Sequence, residues 1–342
     1  MSKKVILSGI RPTGRLHLGN YFGALENWIN LQDEYECNYF VADWHALTTG
    51  YADTKDIGEN IREMMTDWLS AGLDPEKCTM FLQSSLKEHA ELHLLFSMVT
   101  PVSWLMRCPT YKEAMTQLKD RDIATYGFLG YPCLQAADIL AYNADFVPVG
   151  EDQVPHLELT REIARRFNYF YGDVFKEPQA LLTKAKVLFG TDGRKMSKSY
   201  NNTIALSEPP DEVKKKVMTM VTDPARIRKD DPGHPEICSV FSFHKVLEAD
   251  NNGASAPQRL GVREIEENCK AGKIGCVQCK RELAEKLCEK ISPIYDRRCE
   301  MSKRPDYVKE VLIEGTRRAR PKAQKVMRTV REAMRLAEMG EF

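Results

Sequence analysis

Short apolar runs rich in branched and aromatic residues recur through the first half of the chain, each followed by a longer stretch of helical periodicity. This alternation restricts the fold more than any other feature. VILSG precedes GALENWINLQDEY, NYFVADW precedes IREMMTDWLSAGL, and TMFLQS precedes KEHAELHLLFSMV. Helices between short strands are the means by which parallel strands return to the same edge, so the pattern predicts an α/β fold with a parallel sheet wrapped by helices. A further helical stretch, YPCLQAADILAY, leads into DFVPVG and then DQVPHLELTREIARRF. Ligands of open α/β sheets bind beyond the carboxyl ends of the strands. The loops after VILSG, FVADW and FVPVG are therefore where chemistry is expected.

Beyond about residue 206 the strand signals fade, and the rest is helical and charged, broken by the loop-like ADNNGASAPQRLG at 249–261. A chain of 342 residues favours two domains, here 1–206 with the sheet and 207–342 without it. Near the end, Ala319, Ala323, Val326, Val330, Met334 and Ala337 recur at helical spacing, while Arg317, Arg318, Lys322, Lys325, Arg328, Arg331 and Arg335 occupy the other faces. Those cations fit either a solvated face or an RNA-facing patch. Lys plus Arg and Asp plus Glu balance at 49 each, so a polyanionic partner has to be met by local patches rather than by a global field. No apolar stretch is long enough for a membrane span, and Arg11 interrupts the N-terminal apolar run too early for a secretory signal. A soluble, cytoplasmic protein is expected.

Three polar segments fall where the sheet pattern places chemistry. SGIRPTGRLHLGN opens a helix near Gly19 or Asn20, and the N–H groups of a helix start attract anions. A glycine turn that merely packs strand on helix would read the same way. PVGEDQ sets Gly150, Glu151, Asp152 and Gln153 at another helix start, where carboxylates also serve as ordinary dipole partners. The third segment, GTDGRKMSKSYNN at 190–202, carries Lys195 and Lys198 on a glycine-rich loop with Met196 as its one apolar anchor, a composition that predicts a mobile loop. Attack on the α-phosphorus of ATP builds negative charge on the departing pyrophosphate, and cations that reach it as that charge develops lower the barrier.

KMSKS at 195–199 together with HLGN at 17–20 resembles the paired signature of class I aminoacyl-tRNA synthetases, with Leu18 and Asn20 in place of the isoleucine and second histidine of the full first motif. The RPTG lead-in and YPCLQAADILAYNADFVPVGEDQVPHLELTREIARRFN extend the resemblance over nearly the whole chain, to the bacterial tryptophanyl-tRNA synthetases. It implies a Rossmann-like catalytic domain followed by an α-helical tRNA-binding domain, and a homodimer that charges tRNA(Trp) with L-tryptophan through an adenylate, using ATP and Mg²⁺. Tyrosine-specific relatives and a catalytically idle tRNA-binding paralogue are the competing readings. Carried over by position, catalysis falls to His17, Lys112, Lys195 and Lys198. ATP contacts fall to Arg11, Pro12, Thr13, Gly19, Asn20, Gly150, Glu151, Asp152 and Val187, and to Lys195, Met196, Ser197, Lys198 and Ser199. Tryptophan contacts fall to Tyr131, Gln135, Asp138, Gln153 and His45, although a histidine packed in the core would leave the same pattern at position 45. The chemistry agrees at Asp138, since an indole offers one N–H donor and no acceptor.

Ten cysteines suit a reducing compartment. Four of them, Cys238, Cys269, Cys276 and Cys279, are spaced C-x30-C-x6-C-x2-C, which favours a metal over a disulfide. Spacing leaves zinc and iron–sulfur both open. A subgroup of the family carries a similar pattern that binds a [4Fe-4S] cluster, and the resemblance implies one here.

Overall fold

A computed structural model of the chain describes residues 3–109, 111, 124–182, 188–228, 230–250 and 260–336. Five parallel strands form one sheet: β1 (Val5–Ile10), β2 (Glu36–Val41), β3 (Cys78–Leu82), β4 (Phe146–Val149) and β5 (Gln179–Leu182), in the order β3-β2-β1-β4-β5. The chain winds outward from β1 to β3 and then returns to β4 on the other side of β1. That reversal opens a crevice between the carboxyl ends of β1 and β4.

The helix after β1, α1, begins as Leu18–Asn20, opens into a π-helical turn at Tyr21–Leu25 and continues as Glu26–Leu31. It is followed by α2 (Asp43–Gly50), α3 (Ile57–Ala71), α4 (Lys87–Val99) and α5 (Val102–Met106). Next come α6 (Tyr126–Leu140) and α7 (Val154–Tyr171). After β5 there is no further strand among the described residues. The chain continues through α8 (Pro210–Thr219), α9 (Ser239–Asp250), α10 (Val262–Lys270), α11 (Cys276–Ser302) and α12 (Pro305–Ala333).

Neighbouring strand residues divide between two cores, because successive side chains point to opposite faces. Ile6, Tyr39 and Met80 join Trp28, Trp68 and, from α11, Leu283, Leu287 and Ile291. Leu7, Phe40 and Phe81 join Phe96, Ile139 and Ile163 and, from α12, Ala319, Ala323, Met327 and Val330. With both faces covered, the inner strands need continuous apolar runs rather than alternation. β5 lacks such a run, with its termini Gln179 and Leu182 exposed, and it escapes the sequence pattern for that reason.

The apolar stripe of α12 is therefore a core element, and Val326 and Met334 pack beside it; Ala337 lies outside the described residues. Of the seven cations on its other faces Arg317, Lys325, Arg328 and Arg335 are exposed, as a solvated face requires, and three are committed to the protein. Arg318 donates to the carbonyls of Pro75 and Cys78, Lys322 pairs with Glu36, and Arg331 pairs with Glu91. With Thr316 accepting from Leu82 N at 3.2 Å, these contacts cover edge strand β3, whose unpaired main chain would otherwise be a pairing hazard. Approach this close requires a glycine. A Cβ on Gly315 would stand 1.8 Å from the Met80 carbonyl oxygen.

Gly315→Ala should therefore destabilise the fold. Overpacking costs roughly 1–3 kcal/mol, helix propensity returns only ~1 kcal/mol, and a strand carbonyl cannot rotate away. A lowered urea midpoint is expected; a midpoint equal to or above the parent's would mean that α12 does not lie on β3 in this way.

Candidate active site

A cavity of ≈ 480 Å³ occupies the crevice, within the range usual for small-ligand sites. Its walls come from the carboxyl end of β1 (Ser8 to Arg11), the π-helical turn (Gly23, Ala24), α2 (His45), α6 (Tyr131, Gln135, Asp138) and the segment leaving β4 (Gly150, Asp152, Gln153). A π-helical turn at such a place is a common mark of function. The loops singled out after the first, second and fourth strands thus meet in one place.

Asp138 forms the floor and is fully buried. His45 Nε2 lies 2.7 Å from its Oδ2 and His89 Nδ1 2.6 Å from its Oδ1, while Gln83 Nε2 reaches both oxygens at 2.8 and 2.9 Å. Trp44 N donates to Gln83 Oε1 at 3.1 Å, which fixes the amide so that its NH₂ faces the carboxylate. His89 Nε2 lies 2.9 Å from the Tyr142 hydroxyl. An ionised carboxylate only accepts, so Nδ1 carries the proton to Asp138, and in the neutral ring Nε2 accepts from the phenol. Burial alone would push the Asp138 carboxyl up, but the hydrogen bonds from His45 and His89 outweigh it and bring it down to about 2. The cavity floor is an ionised acceptor at neutral pH. Gln83, His89 and Tyr142 had no sequence signal beyond a polar residue in an apolar stretch.

A second polar group lies farther up the wall. The Tyr131 hydroxyl is 3.2 Å from His156 Nε2, and the Cys108 thiol is 3.4 Å from His156 Nδ1. Burial lowers the His156 imidazole, so its ring is neutral.

HLGN and KMSKS meet at the other end. Leu18 N donates to Ile204 O and Leu206 N to Leu16 O, tying the stretch after KMSKS to the first turn. His17 caps α1, its Nδ1 accepting from Asn20 N at 3.3 Å while Asn20 Oδ1 accepts from His17 N at 3.1 Å. The asparagine that replaces the motif's second histidine closes this reciprocal cap. Burial and the nearby Lys198 bring the His17 imidazole down to about 4. With Nδ1 used as an acceptor, the neutral ring keeps its proton on Nε2.

The KMSKS loop is clamped. Met196 is buried, Met196 N bonds Leu188 O, and the buried Asn202 accepts from Ser197 N at 2.8 Å and donates to Asp192 and to Lys195 O. Lys198 Nζ rests on the Thr13 carbonyl at 2.6 Å. Lys195 is exposed. Pro12 is buried in the turn, and Gly19, Glu151 and Ser199 stand on the same three segments. Lys112 and Val187 lie outside the described residues.

The four spaced cysteines are brought together elsewhere. Cys238, Cys269, Cys276 and Cys279 line one small cavity between α9, α10 and α11. Arg226 Nη1 stands 3.9 Å from the sulfurs of both Cys269 and Cys276, and His244 Nε2 lies 3.6 Å from that of Cys279. Among the described residues no group of three or more His, Cys, Asp or Glu side chains is found that could hold a metal ion. The four thiols share a cavity without forming such a group.

The chain matches the family model described as tRNA synthetases class I (W and Y) over residues 2–290. It is 52% identical to the tryptophan–tRNA ligase of Thermotoga maritima and 48% identical to that of Aquifex aeolicus, in each case with 97% of this chain and 99% of the relative covered. Among solved structures it is similar to the tryptophanyl-tRNA synthetase of Campylobacter jejuni complexed with ADP and tryptophan. The TM-score is 0.82 at 34% identity, covering 97% of this chain and all of that one.

The Asp138 network makes a prediction about pH. A carboxyl depressed from 3.8 to about 2 contributes stability that is complete above its unfolded value and is lost as pH falls through about 2. By linkage that contribution is roughly 2 kcal/mol. Asp138→Asn should lower unfolding free energy by about that amount at neutral pH, with the gap to the parent closing between pH 4 and 2. A gap that stays constant across that range would contradict the ionised network.

Proposed function

Since the chain belongs to the class I tRNA synthetases of the tryptophan and tyrosine family, we propose that it is a tryptophan–tRNA ligase, using ATP to join L-tryptophan to tRNA(Trp). The observation that carries the choice of amino acid is the buried, ionised Asp138 at the floor of an otherwise largely apolar cavity. Indole presents a single N–H to such an acceptor. Tyr131 and Gln153 hold the substrate ammonium, and His45 and Gln135 flank the ring.

The nucleotide lies along the first turn and the loop after β4, against Arg11, Pro12, Thr13, Gly19 and Asn20 on one side and Gly150, Glu151 and Asp152 on the other. The main chain at Gly19, at the start of α1, and the Nε2 proton of His17 face its phosphates. The tryptophan carboxylate attacks the α-phosphorus, a bond forms to phosphorus, and pyrophosphate leaves with the electron pair. Lys195 and Lys198 meet the charge that develops on the leaving group. Met196, Ser197 and Ser199 shape the loop, Mg²⁺ arrives with ATP as part of the substrate, and Lys112 is a third cation on the strength of the resemblance. A terminal ribose hydroxyl of tRNA then attacks the adenylate carbonyl, AMP departs and the aminoacyl ester remains. No side chain forms a covalent intermediate; positioning carries the reaction.

Two further parts of the reading rest on other surfaces. Cys238, Cys269, Cys276 and Cys279, which line one cavity, would hold a [4Fe-4S] cluster, since such a cluster takes four thiolates and the resemblance points to one. When bound it would staple α9, α10 and α11 on the side of the molecule assigned to tRNA. Leu94 and Met98 on α4, Val102 and Met106 on α5, and Tyr126 at the start of α6 are each more than half exposed. Clustered apolar exposure of this kind marks an interface, and a second copy of the chain is its occupant, with one tRNA spanning both subunits. No described helix is long and apolar enough to cross a membrane, and the reaction belongs to the cytoplasm.

ATP–pyrophosphate exchange tests the reaction directly. It should depend on tryptophan and not on tyrosine, and Lys195→Ala or Lys198→Ala should lower its rate by ~10²–10³, as removal of one transition-state donor does, with tryptophan binding unchanged. Exchange driven by tyrosine, or a loss confined to tryptophan affinity, would overturn the assignment. Protein purified without oxygen should be brown, carry about four irons per chain and sediment as a dimer. Cys276→Ser should lower iron content and tRNA charging while exchange continues. One zinc with no iron, or a monomer, would remove the corresponding part.

A further inference from the structure

The turn that carries HLGN is held from beneath by a residue of α11, far away in the chain. Asp67 on α3 is fully buried, and its Oδ2 accepts from Leu16 N, directly before His17, at 2.6 Å. Its Oδ1 accepts from Arg298 Nε at 2.5 Å, across 231 residues of sequence. The same guanidinium gives Nη2 to Glu63 Oε2 at 2.6 Å, and that oxygen also accepts from Arg15 Nε at 2.6 Å. Two carboxylates one helical turn apart on α3 are thus gripped by two arginines, one from the turn itself and one from α11.

Fold stability alone does not account for this arrangement. Desolvating a carboxylate and a guanidinium costs about as much as their attraction returns, so a buried ion pair is weak evidence of stabilisation. What the pair contributes is direction. A planar fork between two fixed carboxylates admits little rotation, and the carboxylate so oriented fixes one N–H in the turn. From the other side, Leu18 N and Leu16 O are bonded to Ile204 and Leu206. The main chain around His17 is therefore clamped between α3 and the stretch after KMSKS.

We infer that Arg298 is a positioning residue for the nucleotide turn, acting through Asp67, so that the helical C-terminal half of the chain helps determine how ATP is held. The inference rests on the reading of that turn as the ATP site. Charge adds a second reason for the arginine. Burial raises the Asp67 carboxyl, against the opposing pull of Arg298. Without the guanidinium the carboxylate would either take up a proton, weakening its hold on Leu16 N, or stay charged beneath a site meant for phosphates. Arg298 also lies on the same helix as Cys276, about six turns further along and beyond Pro293, a distance of about 33 Å at 1.5 Å per residue. One helix, with Pro293 in its course, joins the cysteine cavity to the ATP turn.

The test is steady-state ATP–pyrophosphate exchange on the full-length protein with Arg298→Met, Arg298→Lys and the double variant Asp67→Asn/Arg298→Met, beside tryptophan binding by calorimetry. Arg298→Met should lower kcat/KM for ATP by ~10²-fold, the scale of a turn displaced by about 1 Å, with tryptophan affinity unchanged. Arg298→Lys should fall between it and the parent, and the double variant, which strands no charge, should recover part of the loss. Folded Arg298→Met with the parent's ATP kinetics overturns the inference, as does an equal loss toward ATP and tryptophan, which would mark a structural role only. If Arg298→Met fails to fold, Arg298→Lys must still show an ATP-specific loss, and parent values there overturn it. A parent without tryptophan-dependent exchange defeats the reading of the turn and this inference with it; an active parent with unaffected variants defeats this inference alone.

Discussion

A carboxylate with no access to water must find its solvation inside the protein, and Asp138 obliges several elements to converge in order to supply it. His45 comes from α2, Gln83 from the turn after β3, His89 from α4 and Asp138 itself from α6. Each donor is in turn fixed: Gln83 by Trp44 N, and His89 by the Tyr142 hydroxyl. Leaving any one of them out would leave the buried carboxylate short of a donor, at a cost of roughly 1–3 kcal/mol. The network therefore ties the layout of the sheet's helical layer to the chemistry of the cavity floor. It also makes the floor an acceptor and nothing else, which discriminates between amino acids more sharply than shape does.

At the opposite end of the crevice the problem is one of timing. A cation that held the nucleotide equally tightly before and during reaction would lower KM without raising kcat. In the structure Lys198 rests on a neutral carbonyl, that of Thr13, and Lys195 is exposed on a loop whose backbone is clamped by Asn202. The main chain of the loop is thus fixed while its cations remain available to an anion, which on the proposed reading is the departing pyrophosphate. Asn20 contributes through its cap on His17, which uses Nδ1 as an acceptor, while burial and Lys198 keep the imidazole neutral with its proton on Nε2. The HLGN variant thus has a structural logic of its own.

Much of this was legible in the sequence, and the parts that were not share a cause. The parallel sheet could be read because a strand covered on both faces leaves a continuous apolar run, as in β1, β2 and β3. β5, exposed at both ends, leaves none. Asp138 stood out as a carboxylate among Ala136, Ala137, Ile139 and Leu140, whereas Gln83, His89 and Tyr142 were invisible because a partner 50 residues away has no local signature. The cations of the last helix allowed either a solvated face or an RNA-facing patch; Arg317, Lys325, Arg328 and Arg335 are indeed exposed, while Arg318, Lys322 and Arg331 dock that helix on β3 and its neighbours. Charge runs are read from composition, but what they pair with is decided by tertiary contact.

The central claim is that the cavity floor recognises an indole N–H through Asp138. The most direct measurement is calorimetric comparison of L-tryptophan with β-(3-benzothienyl)alanine, which keeps the shape of the ring system and replaces the N–H with sulfur. A hydrogen bond to a charged acceptor contributes roughly 1.5–3 kcal/mol, so the sulfur analogue should bind about ten- to a hundredfold more weakly. Equal affinity for the two would contradict the account, because the buried carboxylate would then have no part in choosing the substrate.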